Sequence, residues 1–114
     1  MARVYDWNDL TTPLVTLEAD DGGAYDGLIY LPCTPENGFI APPPRRKADV
    51  VYLCSPNNPT GACATPEFLD RLVAFAKAND IAVCYDNPYS EIVFPGQERL
   101  SFLSADGAKE VGVE

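Results

Sequence analysis

Two short runs carry the residue types of a binding site. Ser55-Pro56-Asn57-Asn58-Pro59-Thr60-Gly61 offers side-chain amides in a rigid frame, and Asp86-Asn87-Pro88-Tyr89 offers a carboxylate and a phenol. Pro56 and Pro59 restrict the backbone around the asparagines, and Gly61 reaches turn conformations that other residues adopt only at a cost. An amide donates and accepts, a carboxylate accepts or pairs with a cation, and a phenol donates. Such a set suits a polar, planar small molecule. Each run alone also reads as an ordinary turn, because Asn, Pro, Thr, Gly and Asp are common turn residues. Their order and placement decide the matter.

The elements on either side supply that placement. Val50-Val51-Tyr52-Leu53-Cys54 and Ile81-Ala82-Val83-Cys84-Tyr85 are continuous apolar runs, the pattern of parallel strands covered on both faces. Between them, Thr65 reads as a helix N-cap, Pro66 as the first helical residue and Glu67 as a favourable charge at the positive helix end. Leu69, Leu72, Val73 and Ala76 form one apolar stripe on a helix over residues 66–78, and Asn79-Asp80 ends it. Strand, helix and strand make a βαβ unit, so the fold class is α/β with parallel strands. Ligands of such sheets bind beyond the carboxyl ends of the strands, which is where both runs fall.

The remainder of the chain is less regular. Residues 1–24 show weak periodicity and close in the turn signal Asp20-Asp21-Gly22-Gly23, and Leu28 to Leu31 read as a short strand. Residues 33–48 read as a long loop whose Arg45-Arg46-Lys47 cluster, beside three prolines, is expected to be solvated. The sequence thus divides into a weakly assigned segment, 1–27, and an organised part, 28–114.

Composition excludes several classes. The chain has 114 residues, a formal charge of −9 and no histidine. So acidic a surface opposes nucleic acid and anionic membranes. Without histidine, neither a Ser-His-Asp nor a Cys-His centre can be built. Cys33, Cys54, Cys63 and Cys84 include no C-x-x-C pair, so no metal site is expected and the thiols read as structural groups of a reducing compartment. No run is long enough to span a bilayer, and Met1–Trp7 lacks the apolar core of a secretory signal, so a cytoplasmic location is expected.

Taken together, the two runs resemble those of the class I/II aminotransferases, the fold-type I pyridoxal-phosphate enzymes. The similarity extends over Tyr30–Glu114. Leu31–Phe39, the doubled asparagine and Asp86–Phe94 are similar to LL-diaminopimelate aminotransferases and their near relatives. The resemblance implies part of the large, cofactor-binding domain. Asn58 and Tyr89 would contact the phenolic oxygen of pyridoxal 5'-phosphate, and Asp86 would pair with its pyridine nitrogen. It also implies amino-acid and 2-oxo-acid substrates, here LL-diaminopimelate and 2-oxoglutarate, and a homodimer. Other transaminases and carbon–sulfur lyases share these features. No role for Asn57 follows.

The family also requires a Schiff-base lysine, and Lys47, Lys77 and Lys109 do not match its position. The resemblance places that lysine just beyond Glu114, in a segment that Glu110–Glu114 resembles the approach to. The chain therefore reads as an internal fragment, with no catalytic residue of its own and with a non-catalytic remnant as the alternative.

Overall fold

The structure, a computed structural model, describes the backbone of residues 2–6 and 9–17 and, in full, residues 28–39, 42, 44 and 48–114. It divides into two compact units, residues 1–30 and 31–114, each considered by itself.

In the first unit, β1 (Ala2–Asp6) and β2 (Asp9–Leu17) form an antiparallel pair with Val4 opposite Val15. The register shifts between Val4 and Tyr5 and again between Tyr5 and Asp6, where Tyr5 lies opposite Pro13. Such irregularities break the alternation of period two by which strands are recognised, hence the weak periodicity of this segment. The turn signal at residues 20–23 lies outside the described residues. Leu28–Leu31 is not a strand. A strand needs a neighbour for its backbone groups, and this run belongs to no ladder; Leu28 and Tyr30 are exposed.

In the second unit, the loop over 33–48 contains a 3-10 turn at Pro35–Asn37. Asn37 folds back on it, accepting from the Thr34 backbone N–H at 2.9 Å and donating to the Pro32 carbonyl at 2.8 Å. The basic cluster at 45–47 lies outside the described residues.

The organised part follows the βαβ reading. β3 (Val50–Cys54) and β4 (Ala82–Asp86) are parallel and joined by α1 (Pro66–Asn79). A third strand, β5 (Gly112–Val113), pairs parallel with β4, so the sheet order is β3-β4-β5 with β4 central. α1 begins as its sequence dictates: Thr65 is extended and its hydroxyl accepts from the Phe68 N–H at 3.2 Å. It ends at Asp80, which takes the left-handed conformation (φ 55°) and donates its N–H to the Ala76 carbonyl.

Leu69, Leu72, Val73 and Ala76 of α1 pack with Val83 and Tyr85 of β4, and Val51 and Leu53 of β3 pack against this core. Phe102, fully buried, closes it by stacking on Tyr85, ring centroids 5.5 Å apart and planes 17° from parallel. The expectation of strands covered on both faces is only half met. Alternation sends Val50, Tyr52, Ala82 and Val113 to the other face, where all four are exposed and no described element covers them. Cys54 and Cys84 share that face and are half-buried rather than core residues.

Candidate functional site

The parallel register sets the site. Cys54 pairs with Asp86, so β3 and β4 end level, and the Ser55 N–H extends the ladder by donating to the Asp86 carbonyl at 3.1 Å. The two loops therefore leave the same edge of the sheet side by side.

The first loop is built around Asn57. Its carbonyl accepts from the Gly61 N–H at 2.7 Å, its N–H donates to the Ala62 carbonyl at 2.9 Å, and its side-chain amide donates to Thr60 Oγ1 at 2.8 Å. Gly61 closes this turn at φ 68°, a conformation open to glycine. Ser55, buried beneath the loop, accepts from the Ala64 N–H at 2.8 Å through its hydroxyl. The Ser55–Pro56 and Asn58–Pro59 peptide bonds are cis. Asn57, for which the sequence suggested no role, thus shapes the loop, while its neighbour Asn58 is left exposed.

Asn58 and Tyr89 come together. The Asn58 amide donates to the Tyr89 hydroxyl at 3.3 Å, bridging the two loops. Both groups can donate to one external oxygen placed between them.

Asp86 is held by a side chain of the neighbouring strand. Its Oδ2 accepts from the Tyr52 hydroxyl at 2.7 Å. That bond is the main reason the Tyr52 phenol is pushed up to about 12, with smaller contributions from burial and from the charge of Asp86. Tyr52 is a participant that sequence reading missed. The signal was present only jointly: residues 52, 54, 84 and 86 share a face once the register is known, and a tyrosine reaches its diagonal neighbour across the ladder.

Behind the Asp86 loop, the Asn87 amide donates to the Leu100 carbonyl at 3.3 Å and to Glu114 Oε1 at 2.6 Å. Glu114 Oε2 also accepts from the Ser101 hydroxyl at 2.6 Å and the Leu103 N–H at 3.3 Å. Burial acts to raise the Glu114 carboxyl, but these donors outweigh it and hold it below its ordinary range. Asn87 Oδ1 is buried with no partner among the described residues.

The edge as a whole presents an amide and a phenol in contact, with a carboxylate fixed at the end of the central strand. It can hold a planar heteroaromatic ring that carries an anionic oxygen and a basic ring nitrogen. The two described lysines are elsewhere. Lys77 and Lys109 line a groove with Asp49, Asp80 and Val111, at the amino-terminal edge of the sheet, and Lys77 pairs with Glu110 at 3.0 Å.

Known proteins resemble the chain in sequence and in fold. The family "Aminotransferase class I and II" matches residues 33–111. LL-diaminopimelate aminotransferase from Chlamydomonas reinhardtii superposes with a TM-score of 0.71 at 36% identity, over 78% of this chain and 22% of that one. Substrate-bound BacF from Bacillus subtilis gives 0.66 at 38% identity, over 72% of this chain and 22% of that one. A probable N-succinyldiaminopimelate aminotransferase from Thermus thermophilus gives 0.52 at 37%, over 57% and 17%. The chain spans about a fifth of the length of the first two. Its α/β architecture, its parallel sheet and its sequence agree: the chain belongs to the class I and II aminotransferases.

Proposed function

We propose that this chain is the cofactor-holding part of a pyridoxal-phosphate-dependent aminotransferase that moves an amino group between LL-diaminopimelate and 2-oxoglutarate. The class I and II aminotransferases generally depend on pyridoxal phosphate. One observation carries the reading: the 3.3 Å contact of Asn58 with Tyr89 at the edge where Asp86 ends the central strand. The donor set fits the group. Asn58 and Tyr89 would hold the phenolic oxygen of the cofactor by donating to it, and Asp86 would receive the ring nitrogen.

When bound, pyridoxal phosphate supplies an electron-withdrawing ring able to stabilise negative charge at a substrate α-carbon. Asp86 contributes by keeping a proton on the ring nitrogen, because an adjacent carboxylate favours the cationic form. The Asn58 amide and the Tyr89 hydroxyl contribute by stabilising negative charge on the oxygen they share. The diaminopimelate assignment rests on likeness to the Chlamydomonas enzyme and is in keeping with the Thermus protein's name. A homodimer and a cytoplasmic setting complete the proposal; four free thiols suit a reducing compartment.

Binding without turnover is a second reading. It is favoured by the position of Lys77 and Lys109 at the opposite edge of the sheet, away from Asp86. Equilibrium dialysis of the purified chain against pyridoxal phosphate tests the site: Asn58→Ala and Asp86→Ala should each weaken binding by about tenfold or more. Binding indifferent to both substitutions would refute it. Glutamate formation from LL-diaminopimelate and 2-oxoglutarate by the complete polypeptide that carries this chain separates transfer from binding alone.

A further inference from the structure

On the proposed cofactor reading, Asp86 must be an ionised carboxylate held in one orientation. Among the described residues no arginine or lysine forms an ion pair with it. Its hydrogen-bond partner is Tyr52. That residue lies in the middle of β3, paired in register with Cys84, so its ring crosses diagonally to the residue two positions further along β4. The O···O distance of 2.7 Å is that of a charge-assisted bond.

We propose that Tyr52 is a positioning residue for Asp86: its hydroxyl fixes the carboxylate through Oδ2 and leaves Oδ1 to receive the ring nitrogen of the cofactor. A carboxylate accepts several hydrogen bonds, so the two partners do not compete for one lone pair. Among the described residues Oδ1 accepts no hydrogen bond. Tyr52 is suited to the task because it keeps its proton through the neutral range and remains a donor, with its phenol pushed up to about 12 chiefly by this same bond. Its location argues against a packing role for the hydroxyl. Tyr52 is 67% exposed on a face of the sheet that no described element covers, so among the described residues removing one oxygen leaves no cavity.

Two opposed effects follow when the hydroxyl is removed. The freed carboxylate gains negative charge density and becomes the stronger acceptor, but it also regains rotational freedom that binding must then remove. Orientation should win, because freezing a side chain on binding costs roughly threefold to tenfold in affinity, and the charge gained at Asp86, which is only half-buried, is partly screened by water.

The test uses Tyr52→Phe, which keeps the ring, with circular dichroism to show that the fold is retained. Affinity for pyridoxal phosphate should fall about threefold to tenfold. Affinity for the analogue with carbon in place of the ring nitrogen should not change, because that analogue makes no bond to Asp86. An equal fall for both ligands, or no fall for either, overturns the proposal. A cofactor-free arm keeps the two claims apart. With ¹³Cζ-tyrosine labelling, the signal lost in Tyr52→Phe identifies Tyr52, and at pH 11 it should be mainly protonated in the wild type and mainly ionised in Asp86→Asn. If this arm succeeds while the wild type binds no pyridoxal phosphate, the hydrogen bond stands, and the cofactor reading falls together with the positioning role. If Tyr52 ionises alike in both proteins, the hydrogen bond itself is refuted.

Discussion

The Asn87 amide donates to the Glu114 carboxylate at 2.6 Å, tying the loop after the central strand to the residue that follows β5. The loop holding Asp86 and Tyr89 is thus braced from behind as well as by its own strand. Asn87 provides that brace from between Asp86 and Tyr89, the two residues of this loop proposed to hold the cofactor.

Glu114→Gln should loosen this brace. Glutamine keeps the size of the side chain but loses the charge that draws the Ser101, Asn87 and Leu103 donors. Because the Glu114 carboxyl is held below its ordinary value of 4.5, its stabilising contribution is complete above that pH and is lost as the pH falls through the folded value. The expected cost is about 1 kcal/mol at pH 7, given that the group is exposed. Urea unfolding over a series of pH values from 7 downward checks this: the variant should be the weaker at pH 7, and its deficit should shrink as the pH falls below 4.5.

Gly112→Ala should be severe. A Cβ there would lie 2.6 Å from Phe102 Cε1 and 2.6 Å from the Val83 carbonyl oxygen, and a backbone atom cannot rotate away. Separating β5 from β4, or displacing Phe102 from Tyr85, should cost about 1–3 kcal/mol or more. Chemical denaturation measures it, and loss of the near-ultraviolet tyrosine signal would report the disturbed ring pair.

Thr65→Ala removes the oxygen that accepts the Phe68 N–H at the start of α1. A loss of about 1 kcal/mol is expected, with Thr65→Ser recovering most of it. Denaturant midpoints of the three proteins provide the comparison.

Cys63 should be alkylated slowly. Burial pushes its thiol up, and its Sγ donates to Gln97 Oε1 at 3.2 Å. Cys33 is exposed. Mass-spectrometric mapping after brief iodoacetamide treatment at pH 8 should find Cys33 modified about tenfold faster or more, since the reactive species is the accessible thiolate.

Much of the organised part was legible in the order of residues. Local chemistry fixes where α1 begins and ends, since Thr65, Pro66 and Asp80 act through bonds a few residues long. The apolar runs of β3 and β4, with one helix between them, require a parallel pair, and parallel strands bring Asn58, Asp86 and Tyr89 to one edge. The hairpin of β1 and β2 was not legible, because its register shifts erase the alternation that marks a strand. Leu28–Leu31 misled in the opposite sense: its composition suits a strand, but composition supplies no partner.

Tertiary structure alone decided which residues attend Asp86. Tyr52 lies 34 positions away in sequence, and Glu114 lies 27 positions from Asn87. No periodicity relates such residues. Their contacts depend on the register between strands, which is set by the packing of α1, Val83, Tyr85 and Phe102 against one face of the sheet. The sequence determined what chemistry the edge could hold; the register determined which side chains hold its carboxylate in place.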